Sequence, residues 1–225
     1  VDTNEALIRT YEVVRDDVGG LVAQLEKHQK AHSESHFYET RSKHSLKSPV
    51  KVAARFIYLN KTCFNGLYRV NSRGEFNVPF GKYVNPGIVQ EENLRACSRA
   101  LQGSELKVGQ YSSSISPSKG DFVYLDPPYD PVSKTASFTG YSKVGFTKND
   151  QSRLRDFALE LDRAGVKIML SNSSTEFIKG LYSSDKFRQL IVHAPRSINS
   201  VAAGRNAVEE LLILNNYDST IEFTS

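Results

Sequence analysis

The sequence Asp121-Phe122-Val123-Tyr124-Leu125-Asp126-Pro127-Pro128-Tyr129 joins a short apolar run to two consecutive prolines. The run at residues 122–125 is typical of a buried strand. Because proline lacks a backbone N–H and has a fixed φ, we expect the strand to end where the prolines begin. Open α/β sheets bind ligands at the carboxyl ends of their strands. The sequence therefore predicts an α/β fold with Asp126 at a ligand-binding edge.

Three further apolar runs, at residues 166–170, 190–192 and 211–214, indicate more buried strands. A helix before the first of these is indicated by the spacing of Leu154, Phe157, Ala158 and Leu161. Thr147 and Asn149 are its candidate N-caps. Strands that alternate with helices predict a doubly wound, largely parallel sheet.

The first half of the chain predicts helices. Apolar residues have helical spacing over residues 4–27, with a break at Gly19-Gly20, and further helices are expected from Ser48-Pro49 and over residues 91–101. Residues 28–47 are polar and indicate a loop or a weakly packed helix. Residues 61–88 are rich in Gly, Asn, Arg and aromatics, which is typical of a functional loop.

The composition is that of an ordinary globular protein, with 39% hydrophobic and 24% charged residues among 225. No apolar run approaches the roughly 20 residues that span a bilayer, so no membrane partner is expected. The net charge of +4 permits a polyanionic partner without requiring one. Cys63 and Cys97 form no CxxC pair, which predicts two free thiols and no metal site.

The motif Asp126-Pro127-Pro128-Tyr129 has the chemistry of a receptor for an exocyclic amino group on a flat base. The Asp126 carboxylate and the Pro127 carbonyl can each accept one N–H, and Tyr129 can stack on the ring. Holding both hydrogens favours a pyramidal nitrogen whose lone pair points at a methyl donor. Direct transfer needs no covalent intermediate, so no cysteine nucleophile is expected. The ordinary structural alternative is a strand followed by a proline-rich turn.

This motif resembles the catalytic motif of amino-group DNA methyltransferases, and residues 2–215 are similar to the Dam-type DNA adenine-N6 methyltransferase family. The likeness is most specific within residues 60–83, in Asn65-Gly66-Leu67-Tyr68-Arg69-Val70-Asn71 and Arg73-Gly74-Glu75-Phe76-Asn77-Val78-Pro79-Phe80-Gly81. It implies a site-specific enzyme that transfers a methyl group from S-adenosylmethionine to N6 of a flipped adenine in double-stranded DNA, in GATC.

The resemblance also implies a Rossmann-like methyltransferase fold with an inserted, mainly helical target-recognition domain. We place the catalytic and cofactor domain at residues 1–24 and 105–225, and the recognition domain at residues 25–104. No Phe-x-Gly-x-Gly loop precedes Asp2. The fold is therefore expected to be N-terminally incomplete, and these 225 residues alone are expected to bind little cofactor, whereas the parent protein should be active.

The predicted DNA-binding residues are Phe64, Asn65, Leu67, Arg69, Asn71, Arg73, Pro79 and Lys82. By residue type, the two arginines suit guanine O6 and N7, at about 1–3 kcal/mol of discrimination each. The aromatic ring can fill the gap that a flipped base leaves. The resemblance assigns the first guanine of GATC to Arg69, and insertion beside the flipped adenine to Phe64 and Asn65. The alternative for any single cation is a solvated surface charge.

For the cofactor, the resemblance implies contacts from Asp2, Asn4, Gln110, Tyr111 and Asp126. Asp2 matches the acid that bonds the ribose hydroxyls, and Gln110 stands where an acid is more common. Later segments that resemble pocket-forming motifs are Phe146-Thr147 with Gln151, Leu170-Ser171-Asn172 and Arg196-Ser197-Ile198-Asn199.

Two other functions remain open. A cytosine-N4 methyltransferase uses the same amino-group chemistry, although a serine in place of Asp126 would be more typical of it. A DNA-binding module that has lost catalysis is favoured by the missing glycine loop and opposed by the intact motif. For the enzyme we expect a monomer in the cytoplasm of a bacterial or phage-infected cell, with or without a restriction partner.

Overall fold

The computed structural model describes residues 1–132, 146–194 and 208–215. The chain divides into two compact units, Val1–Ile115 and Ser116–Ser225. The first unit is mainly helical, and the second is built on a four-stranded sheet. The predicted mixed α/β class is therefore confirmed. Across the described ranges, no helix is long and apolar enough to cross a membrane.

The first unit contains six helices among its described residues: α1 (Glu5–Asp16), α2 (Val18–Lys30), α3 (Glu34–Ser42), α4 (Pro49–Thr62), α5 (Glu91–Leu101) and α6 (Tyr111–Ser114). A 3-10 turn, Phe64–Gly66, follows α4. The core lies around α4, whose Ala53, Ala54 and Tyr58 have no exposed surface. The predictions of α4 and α5 are confirmed, including the proline that begins α4.

The predicted break at Gly19-Gly20 is wrong by two residues, because the junction of α1 and α2 lies at Asp17. The Asp17 carboxylate accepts from the Gly20 N–H at 2.9 Å and caps α2. The cap satisfies an N–H that the first helical turn would leave without a partner, so both glycines fall inside that turn.

Residues 28–47, predicted as a loop or a weakly packed helix, include α3. Ser33 caps this helix by accepting from the His36 N–H at 3.1 Å. Phe37 is fully buried and Thr40 is 2% exposed. One aromatic side chain in the core therefore fixes a helix whose other residues are largely polar, which explains its weak periodic signal.

The second unit contains β1 (Phe122–Leu125), α7 (Lys148–Arg163), β2 (Lys167–Ser173), α8 (Glu176–Leu181), β3 (Phe187–Ala194) and β4 (Val208–Asn215). Thr147 caps α7 in a reciprocal capping box with Asp150, so the first of the two candidate caps is confirmed. α7 packs against β2. The buried side chains of the two helices are Leu154, Ala158 and Leu161 of α7 and Ile178 of α8.

The described strands have the order β1-β2-β4-β3. β1 and β2 are parallel, whereas β4 is antiparallel to both of its neighbours. Three strands therefore share one direction, and β4 lies reversed between two of them. A largely parallel sheet was expected, but two of the three described strand pairs are antiparallel, so the expectation is wrong for the strand pairing. Apolar runs indicate where strands lie but not their order in the sheet.

Asn215 fastens the end of β4 to the strand beside it. Its side-chain oxygen accepts from the Ile168 N–H at 2.8 Å. Its Nδ2 donates to the Val166 carbonyl at 2.9 Å and to Asp162 at 2.8 Å. Asn215 is 6% exposed, so these bonds satisfy a buried amide and fix the register of the last strand.

Three histidines surround the buried Tyr58 in the first unit. His28 stacks on the tyrosine ring at a centroid distance of 4.6 Å, and its Nδ1 lies 3.0 Å from His36 Nε2. His32 Nδ1 lies 3.0 Å from the Tyr58 hydroxyl. Burial lowers the pKa of all three imidazoles, that of His28 from 6.5 to about 4. Neutral rings are therefore required for this packing.

We expect acid to destabilise the first unit. Between pH 6.5 and about 4 the unfolded chain binds protons that folded His28 does not, so stability falls as pH decreases through that range. The expected loss between about pH 7.5 and about pH 5 is about 1 kcal/mol, because solvent screening of the partly exposed ring reduces the roughly 2 kcal/mol that the pKa shift alone implies. Urea unfolding at about pH 7.5 and about pH 5 measures it.

The His28→Phe variant keeps a stacking ring without an ionisable group, so its unfolding free energy should depend less on pH. His193→Gln, on the exposed side of β3, is the matched control and should retain the wild-type dependence. Equal pH dependence in wild type and His28→Phe would contradict this assignment.

Candidate active site

β1 carries Asp126 just beyond the last paired residue of the strand. Leu125 pairs with Leu170 of the parallel β2, which brings the next residues, Asp126 and Ser171, side by side. Ser171 Oγ donates to Asp126 Oδ1 at 2.7 Å. Ser171 is buried and Asp126 is exposed. One carboxylate oxygen is thus held by the neighbouring strand.

Buried amide side chains hold the backbone that follows the prolines. Gln151 Nε2 donates to the Pro128 carbonyl at 2.8 Å, and Asn172 Nδ2 donates to Gln151 Oε1 at 3.0 Å. Gln151 and Asn172 are 1% and 0% exposed. Because Pro127 and Pro128 have no N–H to donate, this part of the loop is held through the Pro128 carbonyl oxygen.

Asp130 anchors the far end of this loop. Its N–H donates to Asn172 Oδ1 at 3.0 Å, and its carbonyl accepts from Ser173 Oγ at 2.6 Å. Its carboxylate accepts from Thr175 Oγ1 at 2.7 Å. Asp130 is 8% exposed, and these bonds offset the desolvation of its polar groups. The loop therefore has fixed ends.

Two acceptors of the loop are left over. Among the residues that the structure describes, no donor contacts Asp126 Oδ2 or the Pro127 carbonyl. The Pro128 carbonyl and Asp126 Oδ1 are already bonded. The anchored loop thus retains one carboxylate oxygen and one adjacent carbonyl oxygen as free acceptors.

Tyr129 places an aromatic ring directly after these acceptors. The ring is 37% exposed, and its hydroxyl donates to Glu210 Oε2 of β4 at 3.3 Å. Burial raises the pKa of Tyr129 to about 12, so the phenol is protonated at neutral pH. The last strand of the sheet therefore helps to orient the ring through a neutral donor.

Residues 60–83 form a narrow loop anchored on the helical core of the first unit. Two antiparallel bridges close it, Cys63 with Phe80 and Val70 with Phe76. Phe76 and Val78 are buried in the same cluster as the side chains of α4. Apolar burial on one side of the loop leaves its other side chains in solvent.

Six of the eight predicted DNA-binding residues are exposed on this loop: Phe64, Leu67, Arg69, Arg73, Pro79 and Lys82. Asn65 is half-buried, with a φ of 54°, and Lys82 has the same φ. Positive φ is uncommon outside glycine, although asparagine adopts it several times more often than most residues. Such outliers are characteristic of functional segments.

The polar residues of the loop differ in what they are free to contact. Arg69 Nε donates to Asn77 Oδ1 at 2.8 Å, and its terminal N–H groups have no partner within the described ranges. Arg73 pairs with Glu75 at 3.2 Å. Asn71 bonds Glu75 Oε2 and accepts from two backbone N–H groups. Asn71 therefore builds the turn that carries Arg73.

Of the residues predicted to bind the cofactor, Asp2, Asn4, Gln110 and Tyr111 lie at or near a short parallel bridge within the first unit, whereas Asp126 belongs to the second unit. Asp2 pairs with Val108, two residues before Gln110 and three before Tyr111. Gln110 is exposed, and Tyr111 and Asp2 are half-buried. The bridge brings together groups that are more than a hundred residues apart in the sequence.

Asn4 has a structural task beside Asp2. Its side chain accepts from the Leu7 N–H at 3.2 Å and caps α1. Its own N–H donates to Asp2 Oδ1 at 2.6 Å. The second oxygen of Asp2 has no partner among the described residues and remains available to a ligand hydroxyl.

Neither cysteine is disulfide-bonded, as predicted. Burial raises the pKa of Cys63 to about 11, so its thiol is protonated and a poor nucleophile. It donates to the Leu67 carbonyl at 3.2 Å. Over residues 1–132, 146–194 and 208–215, no cluster of three His, Cys, Asp or Glu side chains could hold a metal ion.

Comparison with known proteins decides the family. The model of the D12 class N6 adenine-specific DNA methyltransferases matches residues 1–198. The chain belongs to this family. The predicted resemblance and the predicted class of enzyme, a DNA adenine-N6 methyltransferase, are thereby confirmed.

Individual relatives of this D12-class methyltransferase cover most of its length. It is 40% identical over 228 residues to the Type II methyltransferase M.MjaIII of Methanocaldococcus jannaschii, across 95% of the chain and 78% of the relative. It is 37% identical over 222 residues to the Type II methyltransferase M1.LlaDCHI of Lactococcus lactis subsp. cremoris, with the same coverage. A DNA adenine methylase of Serratia marcescens is 34% identical over 217 residues, across 95% and 80%.

Sequence reasoning missed several residues that hold the candidate site. Asp130 directly follows the motif, and Thr175 stands where a serine or threonine caps α8, so both carried a local signal. Glu210 and the Tyr124 hydroxyl had no local sequence signal, because their partners, Tyr129 and Ser171, lie more than 40 residues away in the sequence. The segment Arg196-Ser197-Ile198-Asn199 lies outside the described residues.

Asn172→Ala should destabilise the second unit by about 2–4 kcal/mol, because it leaves the buried Asp130 N–H and Gln151 Oε1 without partners. Urea unfolding followed by circular dichroism measures the change. Ser174→Ala, which removes a half-exposed hydroxyl two residues further on, is the control and should lie within about 0.5 kcal/mol of wild type. A similarly small change in Asn172→Ala would show that these bonds do not hold the loop.

Proposed function

We propose that this chain reads DNA and methylates N6 of an adenine flipped out of the duplex, with S-adenosylmethionine as methyl donor and GATC as its site. The family establishes the class of enzyme. The methyl donor, the flipped substrate and GATC are what the family resemblance implies, and the arrangement of side chains described above is consistent with them.

The main support for the proposal is that some acceptor atoms of the Asp126–Tyr129 loop are already hydrogen-bonded and others are free. An adenine amino group has two hydrogens, and the loop retains two free acceptors, Asp126 Oδ2 and the Pro127 carbonyl. The neighbouring carbonyl, on Pro128, is bonded to Gln151 and cannot compete for the base. Acceptors that are fixed in advance need no reorganisation when the base arrives.

The aromatic ring of Tyr129 completes a receptor for a flat base. Its hydroxyl is tethered to Glu210, which limits rotation of the ring while more than a third of its surface stays exposed. A flipped base needs a stacking surface in place of the neighbours that it has left. Asp126 and Pro127 orient the amino group, and Tyr129 orients the ring plane.

The donor set near Val108 fits S-adenosylmethionine. The free oxygen of Asp2 suits a ribose hydroxyl, and the exposed amide of Gln110 suits the edge of the adenine ring. When bound, this cofactor supplies the methyl group. Asn4 would contribute by holding Asp2 in place, because its side chain is used to cap α1.

Specific recognition rests on the 60–83 loop. Asn77 holds the guanidinium of Arg69 by its Nε and leaves the terminal nitrogens for a bidentate contact to a guanine. Phe64, 49% exposed beside the left-handed Asn65, has the size and position of a wedge between base steps. Lys82 supplies a point charge for a phosphate.

The proposed domain plan is a Rossmann-like, doubly wound core of residues 1–24 and 105–225 with a recognition domain of residues 25–104. The bridge between Asp2 and Val108 supports one part of it, because it pairs the two segments, residues 1–24 and 105–115, that flank the recognition domain. Residues 25–104 hold α3, α4, α5 and the exposed loop.

Asp126→Ala should abolish methylation, a loss of at least about 1,000-fold, while DNA affinity stays near that of wild type. The assay incubates a GATC duplex with the protein made from its complete reading frame and quantifies N6-methyladenine and N4-methylcytosine by mass spectrometry. Asp156→Ala, on the exposed face of α7, is the control. Persistent N6-methyladenine in Asp126→Ala would refute the mechanism, and N4-methylcytosine from wild type would refute the substrate.

Discrimination is measured as the ratio of kcat/KM on a GATC duplex to kcat/KM on a duplex in which the first guanine is replaced. Arg69→Ala should lower this ratio by about 5- to 150-fold. Steady-state kcat/KM on the two duplexes measures this ratio. Arg99→Ala, on the exposed surface of α5, should leave the ratio unchanged. If Arg69→Ala slows both duplexes equally, Arg69 contacts the DNA backbone and does not read the base.

A further inference from the structure

We propose that Tyr124 and Ser171 form a two-hydroxyl relay that positions the Asp126 carboxylate, so that Oδ1 is always occupied and Oδ2 is presented to the amino group of the base. This inference rests on the proposed function of Asp126. It assigns a positioning role to two residues that lie outside the Asp126-Pro127-Pro128-Tyr129 motif.

The geometry of the relay is complete within the second unit. The Tyr124 hydroxyl lies 3.1 Å from Ser171 Oγ, which lies 2.7 Å from Asp126 Oδ1. Tyr124 lies in β1, two residues before Asp126, which directly follows the strand, and Ser171 bonds to both side chains. Ser171 extends from the neighbouring β2 and is 3% exposed.

Hydrogen-bond chemistry fixes the direction of the relay. An ionised carboxylate can only accept, so the single hydroxyl proton of Ser171 is used on Asp126. Ser171 must then accept from Tyr124, whose phenol supplies a proton. Each hydroxyl therefore has one orientation, and the bond from Ser171 restrains the position and plane of the carboxylate by holding one of its oxygens.

The bond from Ser171 also decides which carboxylate oxygen is available to the base. A carboxylate that rotates freely would offer either oxygen to solvent or to the base, and its average position relative to the Pro127 carbonyl would vary. With Oδ1 bound to a buried serine, Oδ2 is the carboxylate oxygen that remains a free acceptor among the described residues. Orientation of this kind acts on the reacting complex, so it should affect kcat rather than binding.

The test compares Ser171→Ala, Tyr124→Phe and the double variant in the protein made from its complete reading frame. The expected single-turnover rate falls by about 10- to 100-fold for Ser171→Ala and by less for Tyr124→Phe. KM for the duplex and DNA affinity should stay within about two-fold of wild type. Ser174→Ala, which contacts neither Asp126 nor Tyr124, is the matched control.

The double variant separates a relay from two independent packing effects. If Tyr124 acts only through Ser171, adding Tyr124→Phe to Ser171→Ala should cause no further loss. Tyr124 is 53% exposed, and Tyr124→Phe retains the ring, so Tyr124→Phe should fold even if Ser171→Ala does not. In that case Tyr124→Phe alone tests the relay, which predicts a lowered rate with unchanged DNA affinity.

Additive losses in the double variant, or wild-type rates in both single variants, would overturn the relay while the proposed function stands. A wild-type protein that forms no N6-methyladenine would overturn the proposed function and the relay with it.

Discussion

Two consecutive prolines carry no backbone N–H, so Pro127 and Pro128 cannot donate hydrogen bonds, and the site depends on the other groups that hold this loop. The loop after β1 is fixed through its acceptors and by Asp130, whose bonds run to Asn172, Ser173 and Thr175. Buried amides and hydroxyls are costly unless they are bonded, and here each that contacts the loop is. The rigidity of the motif thus comes from its neighbours as much as from the prolines.

The 60–83 loop is anchored in a different way, by apolar side chains. Phe76 and Val78 are buried in the helical core, whereas Phe64, Leu67, Arg69 and Arg73, between α4 and Phe76, are exposed. Apolar anchoring fixes the base of the loop, while side-chain bonds such as that of Arg69 to Asn77 set the direction of individual groups.

Much of the fold could be predicted because its elements carry strong local patterns. β1, α4 and α5 lie at the predicted residues, since apolar runs, an initial proline and helical spacing are properties of neighbouring residues. The reversed β4 and the capped junction at Asp17 were not predicted, because the first depends on strand order and the second on one side-chain bond.

The candidate site shows the same limit. Asp126, Pro127 and Tyr129 could be picked out from a motif, whereas the residues that hold them act across 20 to 80 positions of sequence. Spacing along the chain has no signal for such pairs. Gln151 and Asn172 were recognised as part of later motifs, but their bond to each other and to Pro128 required coordinates.

The most direct test of the account is a crystal structure of the protein made from its complete reading frame with a GATC duplex and an unreactive analogue of S-adenosylmethionine. The account predicts an extrahelical adenine whose N6 lies within about 3.2 Å of both Asp126 Oδ2 and the Pro127 carbonyl, under the Tyr129 ring. An adenine whose amino group is bound by other residues, with both acceptors facing solvent, would contradict it.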